Sequence, residues 1–124
     1  MLKCSDFNFN IANIKNSFGD VSLNDSSSTK FNIDSSTGNT YINDLNNNSI
    51  ESISCKITTG NINAKNINAS KLISLEARFG NIYADISDKE DNYSSSENTY
   101  YSKSGSKIIL IKTEHGDTRT NFTN

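Results

Sequence analysis

Two segments of this chain, ISCKITTGNINA at 53–64 and ISLEARFGNIYA at 73–84, repeat one pattern at a spacing of 20 residues. The Gly-(Asn/Asp) pair at its centre recurs at Gly19, Gly38, Gly60, Gly80 and Gly116. A repeat this short cannot enclose a core by itself, so each unit has to stack on its neighbours, as the units of a solenoid do.

Aligning the chain on these glycines shows what each unit is made of. Seven positions before the glycine stand Ala12, Phe31, Ile53, Ile73 and Ile109, and five before stand Ile14, Ile33, Cys55, Leu75 and Ile111. Two after come Val21, Thr40, Ile62, Ile82 and Thr118, and four after come Leu23, Ile42, Ala64, Ala84 and Thr120. Apolar residues or Thr at every second position, on both sides of the glycine, describe strands with one buried face. A helix is excluded because no window sustains a 3.6-residue stripe and β-branched residues dominate. Gly followed by Asn or Asp supplies the positive φ of a tight bend. Each coil therefore reads as strand, corner, strand and a short third side such as 66–71, with Leu45 and Ile67 at matching places. The fold expected is all-β, a parallel β-solenoid (single-stranded β-helix) of about five coils of roughly 20 residues.

The outward column four before the glycine reads Lys15, Asp34, Lys56, Glu76, Lys112, alternating in sign from coil to coil. Opposite charges on neighbouring strands attract modestly, so the alternation supports this register. The end coils are more polar. Asn16 replaces an inner apolar residue in the first, and Thr113, Thr118 and Thr120 fill inner columns in the last. Polar terminal repeats limit edge pairing. Ahead of the first coil Phe7, Phe9 and Ile11 alternate, so 6–11 reads as a separate strand or a cap.

Composition agrees with such a stack. Only 33% of the 124 residues are hydrophobic, too few for a thick globular core, yet the net charge of −2 is not that of a disordered chain. A solenoid needs only a narrow inner stripe. The length fits one domain, 1–124. Between the fourth and fifth glycines the spacing grows from 20 to 36, and the extra residues at about 87–107, SDKEDNYSSSENTYYSKSGSK, read as a polar loop leaving one corner. Insertions in repeat arrays often lie on the binding face, and Tyr93, Tyr100 and Tyr101 are the residues here that favour such a role. The near-neutral charge argues against nucleic acid as a partner. No apolar run has the length of a signal peptide or a membrane span, so the default expectation is a cytoplasmic protein without membrane insertion, or a cell-surface one if the segment belongs to a longer exported chain. Cys4 and Cys55 do not indicate a disulfide framework. Cys55, alternating with Ile53 and Ile57, reads as a buried free thiol.

The motifs SFGDVSL, STGNTYI, TTGNINA, RFGNIYA and EHGDTRT, spanning 11–121, resemble an adhesin-like family of uncharacterised domains found in bacteria and some eukaryotes. The resemblance implies a parallel β-solenoid, often at the cell surface or membrane-associated in bacteria, and it brings no catalytic residues.

Candidate chemistry is sparse. His115, the lone histidine, stands where Phe18, Thr37, Thr59 and Phe79 stand in other coils and reads as a corner-packing side chain, with no partners for a triad or a metal. Asp20 and Asp117 share their column with Asn39, Asn61 and Asn81, which favours side chains that satisfy one another and the corner backbone over calcium ligands. Asp34 and Glu76 lie two coils apart with Lys56 between them and read as a salt-linked ladder rather than the paired carboxylates of a glycosidase. No catalytic residue, cofactor or metal is expected. The expected function is a non-catalytic, adhesin-like scaffold or interaction surface; a carbohydrate-active enzyme on the same scaffold is the alternative. The outward column three after each glycine, Ser22, Tyr41, Asn63, Tyr83 and Arg119, is the most ligand-like face, for a protein or a glycan. End-to-end association of copies is a further expectation.

Overall fold

A computed structural model describes residues 2–5, 8–25, 27–46, 49–87, 94–96, 99–104 and 107–122, with backbone alone at 2–5, 8–9, 27, 94–96, 99–104 and 121–122. Where apolar and polar residues alternate, the chain forms strands: β1 (Leu2–Ser5), β2 (Asn8–Phe18), β3 (Val21–Asn24), β4 (Ser27–Thr37), β5 (Thr40–Asn43), β6 (Ser52–Thr59), β7 (Ile62–Ile67), β8 (Leu72–Phe79), β9 (Ile82–Ile86), β10 (Ser94–Ser96), β11 (Thr99–Ser104), β12 (Lys107–His115) and β13 (Thr118–Phe122). Strands before the glycines build a long-stranded sheet in the order β10-β11-β12-β8-β6-β4-β2; strands after them build a short-stranded sheet in the order β1-β3-β5-β7-β9-β13. From β2 to β12 the chain makes four full turns, and coil-to-coil pairing is parallel throughout. The fold is a parallel β-solenoid.

The register is the one the glycine alignment specifies. Ile53 pairs with Ile73 and Cys55 with Leu75, while Phe31 lies between Ala12 and Ile53. These inner columns form the core, in which Val21, Leu23, Phe31, Ile42, Ile53, Ile62, Ile73, Leu75 and Ile82 are fully buried. The third side contributes Leu45, Ile50, Ile67 and Ala69, and its coils are joined by backbone bonds such as Asn68 N–H to Leu45 O at 2.9 Å and Ser70 N–H to Ile50 O at 3.0 Å. The charged column is also aligned, Lys15–Asp34–Lys56–Glu76–Lys112. Among the described residues, however, it makes no ion pair within 4 Å; a direct pair, Arg78 Nε to Glu114 Oε2 at 3.2 Å, forms two positions nearer the corner. The column is therefore charge-complementary without being the salt-linked ladder expected.

At the glycine corner two requirements coincide. Gly80 has φ of +150°, and a Cβ there would sit 1.7 Å from Gly60 O in the coil below. Consecutive corners approach too closely for any side chain. The following Asn or Asp satisfies the bend: Asp20 Oδ1 accepts the Asn39 N–H (2.9 Å), Asn39 Oδ1 that of Asn61 (3.0 Å), Asn61 Oδ1 that of Asn81 (2.8 Å), and Asn81 Oδ1 that of Asp117 (2.9 Å). Each side chain thus caps the equivalent residue of the next coil, so the column serves the backbone more than it pairs amide with amide.

Three features differ from the sequence reading. A second corner follows the short strands, where Asp25, Asp44 and Asn66 take positive φ (40°, 61° and 54°) and Asn66 Nδ2 donates to Asp44 Oδ1 at 3.0 Å. Asn and Asp tolerate this conformation without glycine, so the corner carries no glycine signal. Residues 8–18 form one continuous strand with Ile11 facing outward, 53% exposed, while Phe7 lies outside the described residues. The insertion expected as a loop contains β10 and β11, antiparallel strands that continue the long sheet beyond β12, with Tyr101 opposite Leu110 and Tyr100 opposite Ile111. Backbone pairing to an existing edge, by a run of mostly Ser and Tyr, needs no apolar alternation of its own. Tyr93 lies outside the described residues.

Candidate interaction face

The column three after each glycine is continuous across the short sheet: Ser22 pairs with Tyr41, Tyr41 with Asn63, Asn63 with Tyr83 and Tyr83 with Arg119. The alternation that buries Ile62, Ala64, Ile82 and Ala84 turns these side chains outward. The structure therefore places all five expected residues on one face. Their environments grade along it. Ser22 Oγ accepts from Asn24 Nδ2 at 3.0 Å, and Tyr41 is half-buried with its hydroxyl 3.5 Å from Asn39 Nδ2. Tyr83 is 41% exposed, and the Arg119 guanidinium stands 5.8 Å over its ring. A cation over an aromatic face is held by the ring quadrupole. Beside this pair lies a shallow cavity of about 200 Å³ lined by Lys65, Tyr83, Asp85 and Arg119 together with Ala64 and Ala84.

A second exposed feature was not anticipated. Strict alternation would turn the residue before each glycine inward, yet Phe18 is 82% and Phe79 44% exposed, and His115 is exposed as well. The chain starts to bend one residue early, so Arg78 and Phe79 both face outward, as do Glu114 and His115. His115 does pack at the corner, as expected, but on the surface: its ring stacks on Phe79 with centroids 4.8 Å apart and planes 6° from parallel, and the Arg78 guanidinium lies 5.4 Å from the Phe79 centroid. The signal available in the sequence was the pair Phe18 and Phe79 in a column otherwise filled by Thr37, Thr59 and His115.

The long sheet carries a cavity of about 330 Å³ lined by Lys56, Thr58, Glu76, Arg78, Lys112 and Glu114 among others. Here charges of both signs interleave, and Glu114 is held by Arg78. Asp34 and Glu76 stand on either side of Lys56 in this sheet, in the register the sequence specifies.

Cys55 is buried in the core and free. Burial pushes its thiol from 9.0 up to about 12; the Thr40 hydroxyl offsets part of this and the Asp34 carboxylate adds to it. The thiolate is the reactive form, so Cys55 in the folded chain, measured in a Cys4→Ser background, is expected to resist a disulfide-exchange reagent at pH 8 and to react only on unfolding. The unfolded chain loses this proton near pH 9 and the folded chain near 12, so between these values the unfolded state binds fewer protons. The stability associated with the neutral buried thiol is thus intact below pH 9 and declines as pH rises toward 12, by up to about 1.4 kcal/mol per pH unit. Urea midpoints measured from pH 8 to 11 check this, with Cys55→Ala flattening the decline.

A protein-family model matches residues 2–106, from β1 through the whole β10–β11 hairpin that follows the fourth coil. Comparison with curated proteins and with solved structures returned no match. The matched family is one of uncharacterised domains, and the match gives no support to the adhesin-like part of the expectation. On the strength of that match over most of its length, the chain belongs to the Toastrack DUF4097 family.

Proposed function

We propose that this β-solenoid acts without catalysis, as a rigid scaffold whose short-sheet face is an interaction surface for a protein or a glycan. The observation that carries the reading is the Tyr83–Arg119 pair, an exposed ring under a guanidinium beside a shallow cavity, with Tyr41 in the same column. Tyr and Arg are the residues most enriched where binding energy concentrates, because each combines a large, stiff contact area with directed polar groups. Two strand spacings, about 10 Å, separate the tyrosines, close to the span of one three-residue turn of a polyproline II peptide at about 3.1 Å per residue. The backbone ladder beneath holds that spacing.

The test compares the chain with its Tyr41→Ala, Tyr83→Ala double variant on a glycan array and against a displayed peptide library. Both side chains point away from the core, so the circular-dichroism spectrum is expected to stay the same. Ligands selected by the parent chain should bind the double variant at least about tenfold more weakly, the equivalent of 1.4 kcal/mol. Equal binding by both proteins would remove this face from the account.

A further inference from the structure

The two ends of the solenoid are finished differently. At one end the β10–β11 hairpin continues the long sheet, its outermost strand has only three residues, and the core residues beneath, Ile109 and Ile111, are 0% exposed. A short edge strand of this kind is one way proteins discourage edge pairing. At the other end the long sheet stops at β2, an 11-residue edge strand paired on one side only among the described residues. Its core residues Ala12 and Ile14 keep 6% and 8% exposure, the highest values in the hydrophobic core, and Ile11 and Phe18 project from the same strand at 53% and 82%.

This end also has a step. β1 pairs with β3 and so extends the short sheet one strand beyond the level of β2. The chain runs toward the glycine corner in the long sheet and away from it in the short sheet. A twofold axis through that corner, perpendicular to the stacking direction, exchanges the two sheets. Under it β1 of each copy comes to lie beside β2 of the other, on the side where the described residues place no strand, with Leu2–Ser5 against residues 14–17, and the two strands run antiparallel.

We propose that this end is an interface between two copies of the chain, in which β1 of each copy pairs with β2 of the other and both sheets continue across the dimer. The interface is isologous and closed, so it ends at two copies and does not propagate into a fibre. A step at the hairpin end could satisfy the same symmetry; the long, incompletely covered β2 is what singles out this one. The backbone groups that would bond are identifiable. In the last coil Ile108 donates its N–H back to Lys71 O of the preceding coil at 2.9 Å. Ile11 occupies the equivalent column, reached through the strand registers. By alternation along the strand Ile11, Asn13 and Lys15 direct their N–H groups away from β4; Lys15 is the one of these that falls opposite β1 of the other copy.

Sedimentation and light scattering over a concentration series test the proposal, with Lys15→Pro as the blocking variant. Proline is tolerated on an edge strand whose N–H faces solvent, so the monomer keeps its fold while the ring obstructs pairing. The expected result is a mass rising with concentration to about 27 kDa, twice the 13.7 kDa of one chain, with Lys15→Pro remaining monomeric. Amide exchange in the unmodified chain gives an independent readout that does not depend on the variant folding. The Lys15 amide should slow at least tenfold between dilute and concentrated samples, while those of Ala12 and Ile14, bonded to β4 of their own chain, stay protected throughout. The Tyr41→Ala, Tyr83→Ala variant should dimerise like the parent, which separates this interface from the short-sheet face. A mass that stays at one chain into the millimolar range, or a dimer in which the Lys15 amide still exchanges freely, overturns it.

Discussion

Replacing Gly80 by Ala is expected to lower the free energy of unfolding by about 3 kcal/mol or more. Two costs combine. An L-residue at φ of +150° is strained, and the added methyl would stand 1.7 Å from Gly60 O and 3.2 Å from Asn61 Oδ1. The first obstruction is backbone and cannot swing aside. To accommodate the methyl, the corners must separate, which stretches the bonds Gly60 N–H to Phe79 O (2.9 Å) and Asn81 N–H to Asn61 Oδ1 (2.8 Å). For a domain whose total stability is of the order of 5–15 kcal/mol, this is a large share. Urea unfolding followed by far-ultraviolet circular dichroism measures it. A change below about 1 kcal/mol would mean that the coils are not packed corner on corner.

Phe31→Ala carries the second large effect, a loss of about 3–5 kcal/mol. Phe31 is completely buried, in a column where its neighbours are the smaller Ala12 and Ile53. The ring fills space that Ala12 leaves, and its removal opens a cavity held apart by strands on both sides. Phe31→Ile should cost clearly less, since Ile occupies this column in three other coils. Adding Ala12→Ile to Phe31→Ala should recover part of the loss. Because the two residues are directly paired, the effects should couple rather than add. Simple additivity in the double-mutant cycle would show that they do not share one cavity.

Both predictions rest on columns that can be read without coordinates. The pairing of Ile53 with Ile73 and of Cys55 with Leu75 follows from alternation on either side of the glycines. So does the outward file of Ser22, Tyr41, Asn63, Tyr83 and Arg119, because in a strand an inward residue determines the direction of its neighbours. The capping role of Asn39, Asn61 and Asn81 was legible in outline: a polar residue in the same place in every coil implies a shared partner. Which atoms join, side-chain oxygen to the backbone N–H of the next coil, required the geometry.

The features that were not legible lie where periodicity fails. At Phe18 and Phe79 the bend begins before the glycine, so two successive side chains face outward. At Asp25, Asp44 and Asn66 a corner forms from residues that are also ordinary in loops. In the hairpin β10–β11 the strands owe their existence to the edge that β12 presents, and nothing local in a Ser- and Tyr-rich run reveals a partner elsewhere in the chain.

From residues alone came the repeat, the inner and outer faces of each strand and the register of the stack, because strand geometry has a period of two and the glycines mark where each count restarts. Tertiary structure alone decided how the ends are closed, since an edge is a property of the assembled sheet and appears only once all the coils are in place. It also decided which outward residues meet: Arg119 reaches Tyr83, and His115 lies on Phe79, across strands 36 residues apart in the chain.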